Sequence, residues 1–431
     1  MNILIIGSGG REHALAWKSA QSPLVKMVYV APGNAGTAIE EKVKNINISA
    51  TDIEKLKKFA QDNKVDLTIV GPEAPLVLGL VDIFKAANLA CFGPTKKAAQ
   101  LEGSKSFTKD FLMRHGIPTA KYQVFTDLQP ALFYLNQINY PIVIKDDGLA
   151  AGKGVVIAHT KKDAETAITD MLEKNIFQTS SQKIVIEEYL EGEEVSFIVM
   201  VDGQNILPMA TSQDHKRAYD NDLGPNTGGM GAYSPAPIVS SEIQEKILDE
   251  VIRPTVDGML KENNPYVGFL YAGLMISKNN DINVIEYNCR FGDPETQPIL
   301  MRMKSDLVEH CIAALNHKLD KEKAMWSDNF SLGVVLATKN YPGEYEKDLP
   351  ISGLEECKAE GSKIFHAGTK TQNNVTVTDG GRVLCVTALG ESASAAQGLA
   401  LSCAKKISWK NSFYRKDIGY RAIDKENNNS R

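Results

Sequence analysis

Lys145-Asp146-Asp147-Gly148-Leu149-Ala150-Ala151-Gly152-Lys153-Gly154 follows an apolar run, Pro141–Lys145, and precedes another, Val155–Ala158. The stretch reads as a glycine loop joining two antiparallel strands. A helix-borne phosphate loop needs G-x-x-x-x-G-K-[ST] opening a helix, but here Lys153 is followed by Gly154 and Val155 and a strand resumes. A loop of this kind can fold over a triphosphate as a flap. Gly148, Gly152 and Gly154 allow close backbone approach, and Lys145 at the strand end supplies a point charge to the phosphates. An ordinary flexible hairpin is the competing reading, and the spacing of lysine and glycines weighs against it.

Two further stretches fit the same ligand. Ile184-Val185-Ile186-Glu187-Glu188-Tyr189-Leu190 is an apolar run passing into acids that continue to Glu194. Adenine needs an acceptor for its amine and a donor for N1. Backbone groups around Glu188 and Leu190 can supply them, and Glu193 can accept ribose hydroxyls, although acidic turns are usually only solvated. In Val284-Ile285-Glu286-Tyr287-Asn288-Cys289-Arg290, Glu286 and Asn288 are two residues apart in a strand and share a face. Two oxygen ligands on one face suit Mg²⁺, which takes a few protein oxygens plus phosphates and water. Arg290 joins that row if the strand persists, and its planar fork can bridge phosphate oxygens. A structural row of salt bridges is the alternative.

Outward from these stretches the chain divides by pattern. Residues 1–103 alternate strands (Asn2–Ile6, Met27–Val30, Asp66–Val70, Leu89–Phe92) with helices (Glu12–Ala20, Asp52–Asp62 capped by Asp52, Leu76–Ala87). Strands apolar on both faces and separated by helices imply a parallel α/β sheet covered on both sides. Residues 104–325 read as a core of two α+β modules. A small flap module covers about 121–190; a larger one takes 104–120 and 191–325, with strands Glu194–Val201, Tyr271–Ser277 and Asn283–Asn288 and helices Ser241–Asn263 and Ile299–Leu319. Within it, Ser212–Pro237 is glycine-rich, charged and without periodicity, which marks a functional loop. Residues 326–431 form a small α+β capping domain with a tail, Lys425–Arg431, expected to fray.

Composition excludes several classes. The 431 residues suggest about three domains. With 43% hydrophobic and 23% charged residues the chain is neither disordered nor membrane-spanning. Its start carries no export signal, so a cytoplasmic protein is expected. The net charge of −5 lacks basic blocks, and no nucleic-acid partner is expected. Six cysteines without a C-x-x-C pair predict reduced, mostly buried thiols. Gly7-Ser8-Gly9-Gly10-Arg11-Glu12 follows a strand and opens a helix, yet Glu12 replaces the third glycine of a dinucleotide fingerprint and no acid ends the second strand. A phosphate site or a purely structural turn remains there, not NAD.

Lys105, Lys145 with its loop, the Glu187–Leu190 crossover and the Glu286-x-Asn288 pair occur in an order that resembles the ATP-grasp superfamily. GSGGREHALAW (7–17), APGNAGTA (31–38), GPEAPL (71–76), GLAAGKGV (148–155), ATSQDHKR (210–217), GPNTGGMGAYSPAP (224–237) and EYNCRFGDPETQ (286–297) resemble the phosphoribosylamine–glycine ligase (glycinamide ribonucleotide synthetase) family. The likeness runs from Asn2 to about Ile423. It implies an enzyme of purine synthesis that joins glycine to 5-phosphoribosylamine. ATP phosphorylates the glycine carboxylate and the amine attacks the acyl phosphate, with no covalent protein nucleophile. No Ser–His or Cys–His arrangement is evident in the sequence.

By this resemblance Lys105 and Lys145 grip phosphates together with the loop glycines Gly152 and Gly154. Glu187, Glu188, Leu190 and Glu193 hold the nucleoside, and Glu286 and Asn288 hold Mg²⁺ or Mn²⁺. Arg290, Lys145, Asp214 and Lys216 are the expected catalytic groups. Gly9, Gly10, Glu73, Asp214, His215, Lys216 and Asp293 would face glycine or phosphoribosylamine. A monomer without membrane attachment is expected. Two departures stand out. The family's Lys-Ala-Asp-Gly is Lys145-Asp146-Asp147-Gly148 here, with Asp146 expected to face away from the lysine. The preceding strand, Gly273-Leu274-Met275-Ile276, carries no acid, which leaves at most two protein ligands for the metal. Another ATP-grasp carboxylase or ligase of purine synthesis, and a non-catalytic nucleotide-binding regulator, are the alternatives.

Overall fold

The computed structural model describes residues 1–149, 154–174, 182–357 and 359–429, without the side chain of Asn429. Of the expected flap loop, residues 150–153, including Gly152, lie outside the described residues.

The N-terminal sheet is wholly parallel, in the order Val43–Asn45, Met27–Pro32, Asn2–Gly7, Leu67–Val70, Cys91–Phe92. Ile3, Leu4, Ile5 and Ile6 are buried on both faces, as the continuous apolar run requires. Asp52 caps the helix Ile53–Asp62 by accepting from Lys55 N at 3.3 Å. The expected helix Leu76–Ala87 is two helices, Glu73–Leu78 and Leu80–Ala86, because Gly79 stands between them at φ 94°.

Ile142–Asp146 pairs antiparallel with Val155–Ala158, Lys145 opposite Val155, in a four-stranded sheet with Ile184–Glu188 and Tyr122–Phe125. This unit has its own small core, with Ile142, Ile144, Ala158, Ile168 and Ile186. A second antiparallel sheet runs Ile206–Pro208, Glu193–Asp202, Val267–Ile276, Ile282–Asn288. It shares one core with the N-terminal sheet, where Leu4 and Ile6 belong to the same cluster as Val199, Leu270 and Val284.

The stretch 212–237, expected to be irregular, contains four short strands. Gln213–Asp214 and Gly231–Ser234 join the sheet of the C-terminal strands Phe330–Thr338, Arg382–Gly390 and Ser362–His366. Arg217–Tyr219 and Leu223–Asn226 form a separate hairpin. The expected helix Ile299–Leu319 is also divided, into Thr296–Arg302 and Leu307–Leu315. Asp306 restarts it by accepting from Val308 N at 2.8 Å. The tail does not fray within the described residues, since Tyr420–Asn429 is helical. The expectation of six free thiols fails at one pair: Cys357 and Cys403 form a disulfide, which two cysteines 46 residues apart do not announce in sequence. Cys91, Cys289, Cys311 and Cys385 are free and buried. No described helix is long and apolar enough to cross a membrane.

Candidate active site

One cavity of about 620 Å³ lies where the flap unit, the Glu193–Asn288 sheet, the N-terminal domain and the C-terminal sheet converge. Lys105, Lys145, Gly154, Glu187, Glu188, Leu190, Asp214, His215, Lys216, Glu286, Asn288, Arg290, Asp293 and Glu73 all line it. Gly9, Gly10 and Glu193 are not on its lining.

Lys145 is buried at the end of its strand, with Nζ 3.1 Å from Glu187 Oε1 and donating to Ile285 O at 2.9 Å. Lys105 opens the helix Lys105–Arg114 and donates to Gly148 O at 2.9 Å, tying that helix to the glycine loop. Burial pulls its ammonium below the usual lysine range. Asp146 is buried, and its Oδ1 accepts from Gly148 N at 3.0 Å. The departure from the family pattern therefore braces the loop's first turn. Glu188 is clasped to Lys121 twice: its side chain accepts from Lys121 N at 3.0 Å, and its own backbone N–H donates to Lys121 O at 3.0 Å.

Glu286 and Asn288 do share a face of Ile282–Asn288, with Glu286 opposite Gly273 and Asn288 opposite Tyr271. A Cβ on Gly273 would stand 3.3 Å from Glu286 Cγ, so this strand leaves the glutamate room rather than adding a second acid. Burial alone would raise the Glu286 carboxyl. Lys216, Lys145, Lys105 and Arg290 override it and hold it at about 2. Among the described residues no group of three or more His, Cys, Asp or Glu is arranged to hold a metal. Glu286 and Asn288 alone would offer a divalent cation two protein oxygens.

Arg290 lies beyond the strand's end but returns to it, donating from Nη2 to Asn288 Oδ1 at 2.8 Å. The same guanidinium meets Glu73 Oε2 at 3.2 Å and Glu102 Oε1 at 2.9 Å. Burial drives the Glu102 carboxyl up to about 7 against the pull of Arg290. Lys216 pairs with Glu194 and lies 3.5 Å from Glu286. Asp214 is raised well above the carboxylate range by burial and by the neighbouring Glu295, with Lys216 opposing. His215 reaches the lining with its ring already engaged. Its Nε2 accepts from Gly419 N at 3.1 Å, Tyr233 and Tyr420 pack on it, and burial followed by Arg415 and Arg421 lowers it to about 3. It fastens the 212–237 stretch to the C-terminal segment.

The first glycine turn stands one layer behind. Gly9 N donates to Glu12 Oε2 at 2.5 Å, so the residue that breaks the dinucleotide pattern closes the turn. Asp293 bridges this turn to the cavity, accepting from Gln297 Nε2 at 2.8 Å and receiving Arg382 Nη1 on its carbonyl at 2.6 Å. Glu193 sits instead 3.9 Å from Lys425.

Sequence reasoning missed Lys109, Arg11, Glu102 and Arg382 on the lining. Lys109 had a signal, being one helical turn beyond Lys105. Arg382 had none, because it arrives from a strand distant in the chain. A Ser305–His310–Glu322 row also exists, at 2.9 and 2.6 Å, but it does not line the cavity. His317 is turned to Asp202 O at 2.6 Å and shares no helix face with His310.

Models of the phosphoribosylglycinamide synthetase N domain, ATP-grasp (A) domain and C domain match residues 1–102, 103–296 and 331–421. The phosphoribosylamine–glycine ligase of Pasteurella multocida is 62% identical over 430 residues, covering 100% of both chains. That of Escherichia coli is 61% identical over 429 residues, 99% of this chain and 100% of its own. The crystal structure of the Thermotoga maritima phosphoribosylamine–glycine ligase superposes with a TM-score of 0.84 at 32% identity, covering 97% of this chain and 100% of that one. The biotin carboxylase domain of the Hydrogenobacter thermophilus 2-oxoglutarate carboxylase shares the fold, with a TM-score of 0.74 at 15% identity over 96% of this chain and 91% of that one. The chain belongs to the phosphoribosylamine–glycine ligase family, whose three phosphoribosylglycinamide synthetase domains it carries in order.

Proposed function

We propose that the protein is an ATP-dependent ligase joining glycine to 5-phosphoribosylamine, giving glycinamide ribonucleotide, ADP and phosphate in purine synthesis. The observation that carries this is a single cavity lined by Lys105, Lys145, Glu286, Asn288 and Arg290 in a chain of this family. Lys105 and Lys145 grip the triphosphate, with Gly154 on the same lining. Backbone groups of Glu188 and Leu190 meet adenine beside Glu187, and Glu193, off the lining, takes no part in this reading. Glu286 and Asn288 hold Mg²⁺ or Mn²⁺, which supplies counter-charge to the phosphates when bound.

The γ-phosphoryl group passes to the glycine carboxylate. The amine of phosphoribosylamine then attacks that carbonyl carbon, loses a proton and expels phosphate. This route asks the protein for position, positive charge and exclusion of water, not for a nucleophile. Arg290 stands over the transferring group. Asp214, Lys216, Glu73 and Asp293 face the two acceptor substrates, with Gly9 and Gly10 behind Asp293 toward phosphoribosylamine. His215 contributes by holding Asp214 and Lys216 in place.

The test is ADP release with phosphoribosylamine made in situ from ribose 5-phosphate and ammonia. Release is expected only when glycine and phosphoribosylamine are present together. Rapid release with bicarbonate or formate in place of glycine would overturn the reading in favour of another ATP-grasp ligase or carboxylase.

A further inference from the structure

We propose that Lys109 is a positioning residue for the nucleotide: it neutralises Glu187, so that Lys145 stays available to the phosphates. The inference rests on the reading of the cavity as an ATP site and assigns a role to a residue outside the set expected from sequence.

Lys109 lies one turn beyond Lys105 on the helix Lys105–Arg114, so the two lysines project from one helix face. Its side chain is only 3% exposed, and its ammonium stands 2.9 Å from Glu187 Oε2. It also donates to Thr119 Oγ1 at 2.8 Å. That hydroxyl spends its own hydrogen on Val284 O at 2.7 Å, so it faces Lys109 as an acceptor only. Lys109 is thereby fixed by two acceptors, one on the flap sheet and one on the segment leading into it.

The other oxygen of the same carboxylate, Glu187 Oε1, is 3.1 Å from Lys145 Nζ. One buried glutamate therefore lies between two buried lysines, and the three groups together carry a net positive charge. With Lys109 in place, Glu187 is already balanced and the charge of Lys145 is left over for an anion. Without Lys109, Glu187 and Lys145 close into a neutral pair, and the phosphates lose a counter-charge in a site where low polarity makes each charge count. Burial draws the Lys109 ammonium down to about 8 against the opposing pull of Glu187, so its charge is sensitive to mild alkali. The charged and titratable groups facing it are Glu187, Glu188, Lys145 and the Tyr122 ring.

A double-mutant cycle separates this role from a direct phosphate contact and from a purely structural pair. KM for ATP is measured by ADP release, at saturating glycine and phosphoribosylamine, in wild type, Lys109→Met, Glu187→Gln and the double variant. Lys109→Met is expected to raise KM about tenfold or more when Glu187 is present, and to leave it nearly unchanged when residue 187 is glutamine. An equal factor in both backgrounds overturns the proposal. A second measurement needs no variant at Lys109. KM for ATP in wild type is expected to climb as pH passes about 8, and the climb is expected to vanish in Glu187→Gln, substrate titrations being common to both. Matching climbs in the two proteins overturn the proposal even if Lys109→Met fails to fold. Absence of saturable ATP dependence in wild type removes the nucleotide reading itself and this inference with it. Saturable ATP dependence with no coupling removes this inference alone.

Discussion

Glu286 keeps its charge in a half-buried place because four cations face it, and that defines its test. Glu286→Gln preserves size and hydrogen bonding but subtracts one charge where phosphoryl charge moves. Turnover is expected to fall by two or more powers of ten, with melting temperature changed by less than about 3 °C. A large fall in melting temperature with near-normal turnover would show the row to be structural. Arg290 is tied more widely than Glu286. It is the partner of Glu73 and of the buried Glu102 as well as of Asn288. Arg290→Lys keeps the charge and loses the fork, so melting temperature and turnover should fall together. Calorimetry and ADP release on the same sample decide it, and an unchanged melting point would refute the anchoring role. The Glu286–Asn288 pair was legible because strand periodicity alone puts residues two apart on one face. The acids around Arg290 were not, since Glu73 and Glu102 are about 200 residues away in the chain.

The helix Lys105–Arg114 shows how an element carries a site. Ser104 caps it by accepting from Phe107 N at 3.2 Å, and its hydroxyl also lies 3.2 Å from the carboxylate of Asp147, next to the glycine loop. The cap thus sets both the start of the helix and the placement of Lys105. Ser104→Ala is expected to cost about 1 kcal/mol in denaturant unfolding and to raise KM for ATP. Loss of stability with an unaltered KM would mean that the cap does not place Lys105. Strands and capped helices of this kind were readable from local pattern. The division of a long apolar helical pattern at Gly79 was not, because a lone glycine is tolerated in many helices. The strands of 212–237 were also hidden. Gln213–Asp214 and Gly231–Ser234 are short; they pair with each other, and only Gly231–Ser234 joins the larger sheet, through Ser331–Val334 about 100 residues further along the chain.

Across the whole molecule, three buried histidines sit at junctions between units. His13, on the first helix, accepts from His366 N at 2.8 Å and meets Glu40 at 2.9 Å, while Lys363 reaches the same carboxylate at 2.6 Å. Burial lowers His13, and it takes His366 to about 3, with His13 adding repulsion. His215, at the seam with the C-terminal segment, is also near 3. The ordinary histidine value is about 6.5, so between that and about 3 the unfolded chain binds protons that the folded chain refuses. Stability is present above pH 6.5 and is lost as pH falls toward 3. A calorimetric series from pH 7.5 to 4 is expected to show a falling melting temperature, less steep in His366→Gln. A flat profile over that range would contradict the assignment.

Local sequence determined the parallel N-terminal sheet, the glycine hairpin at Lys145 and the shared strand face of Glu286 and Asn288. Each rests on a period of two, a continuous apolar run or a turn residue, which are properties of neighbours in the chain. The family motifs added the order of parts. Only the tertiary structure decided that Lys109 and Lys145 share Glu187, that Asp146 braces its own loop and that Arg382 reaches Asp293. It also decided that the ring of His215 turns from the cavity to the C-terminal segment, and that Cys357 meets Cys403. Those choices depend on which distant groups desolvate one another. A buried charge or polar atom must find a partner, and the partner's place is set by the packing of whole sheets.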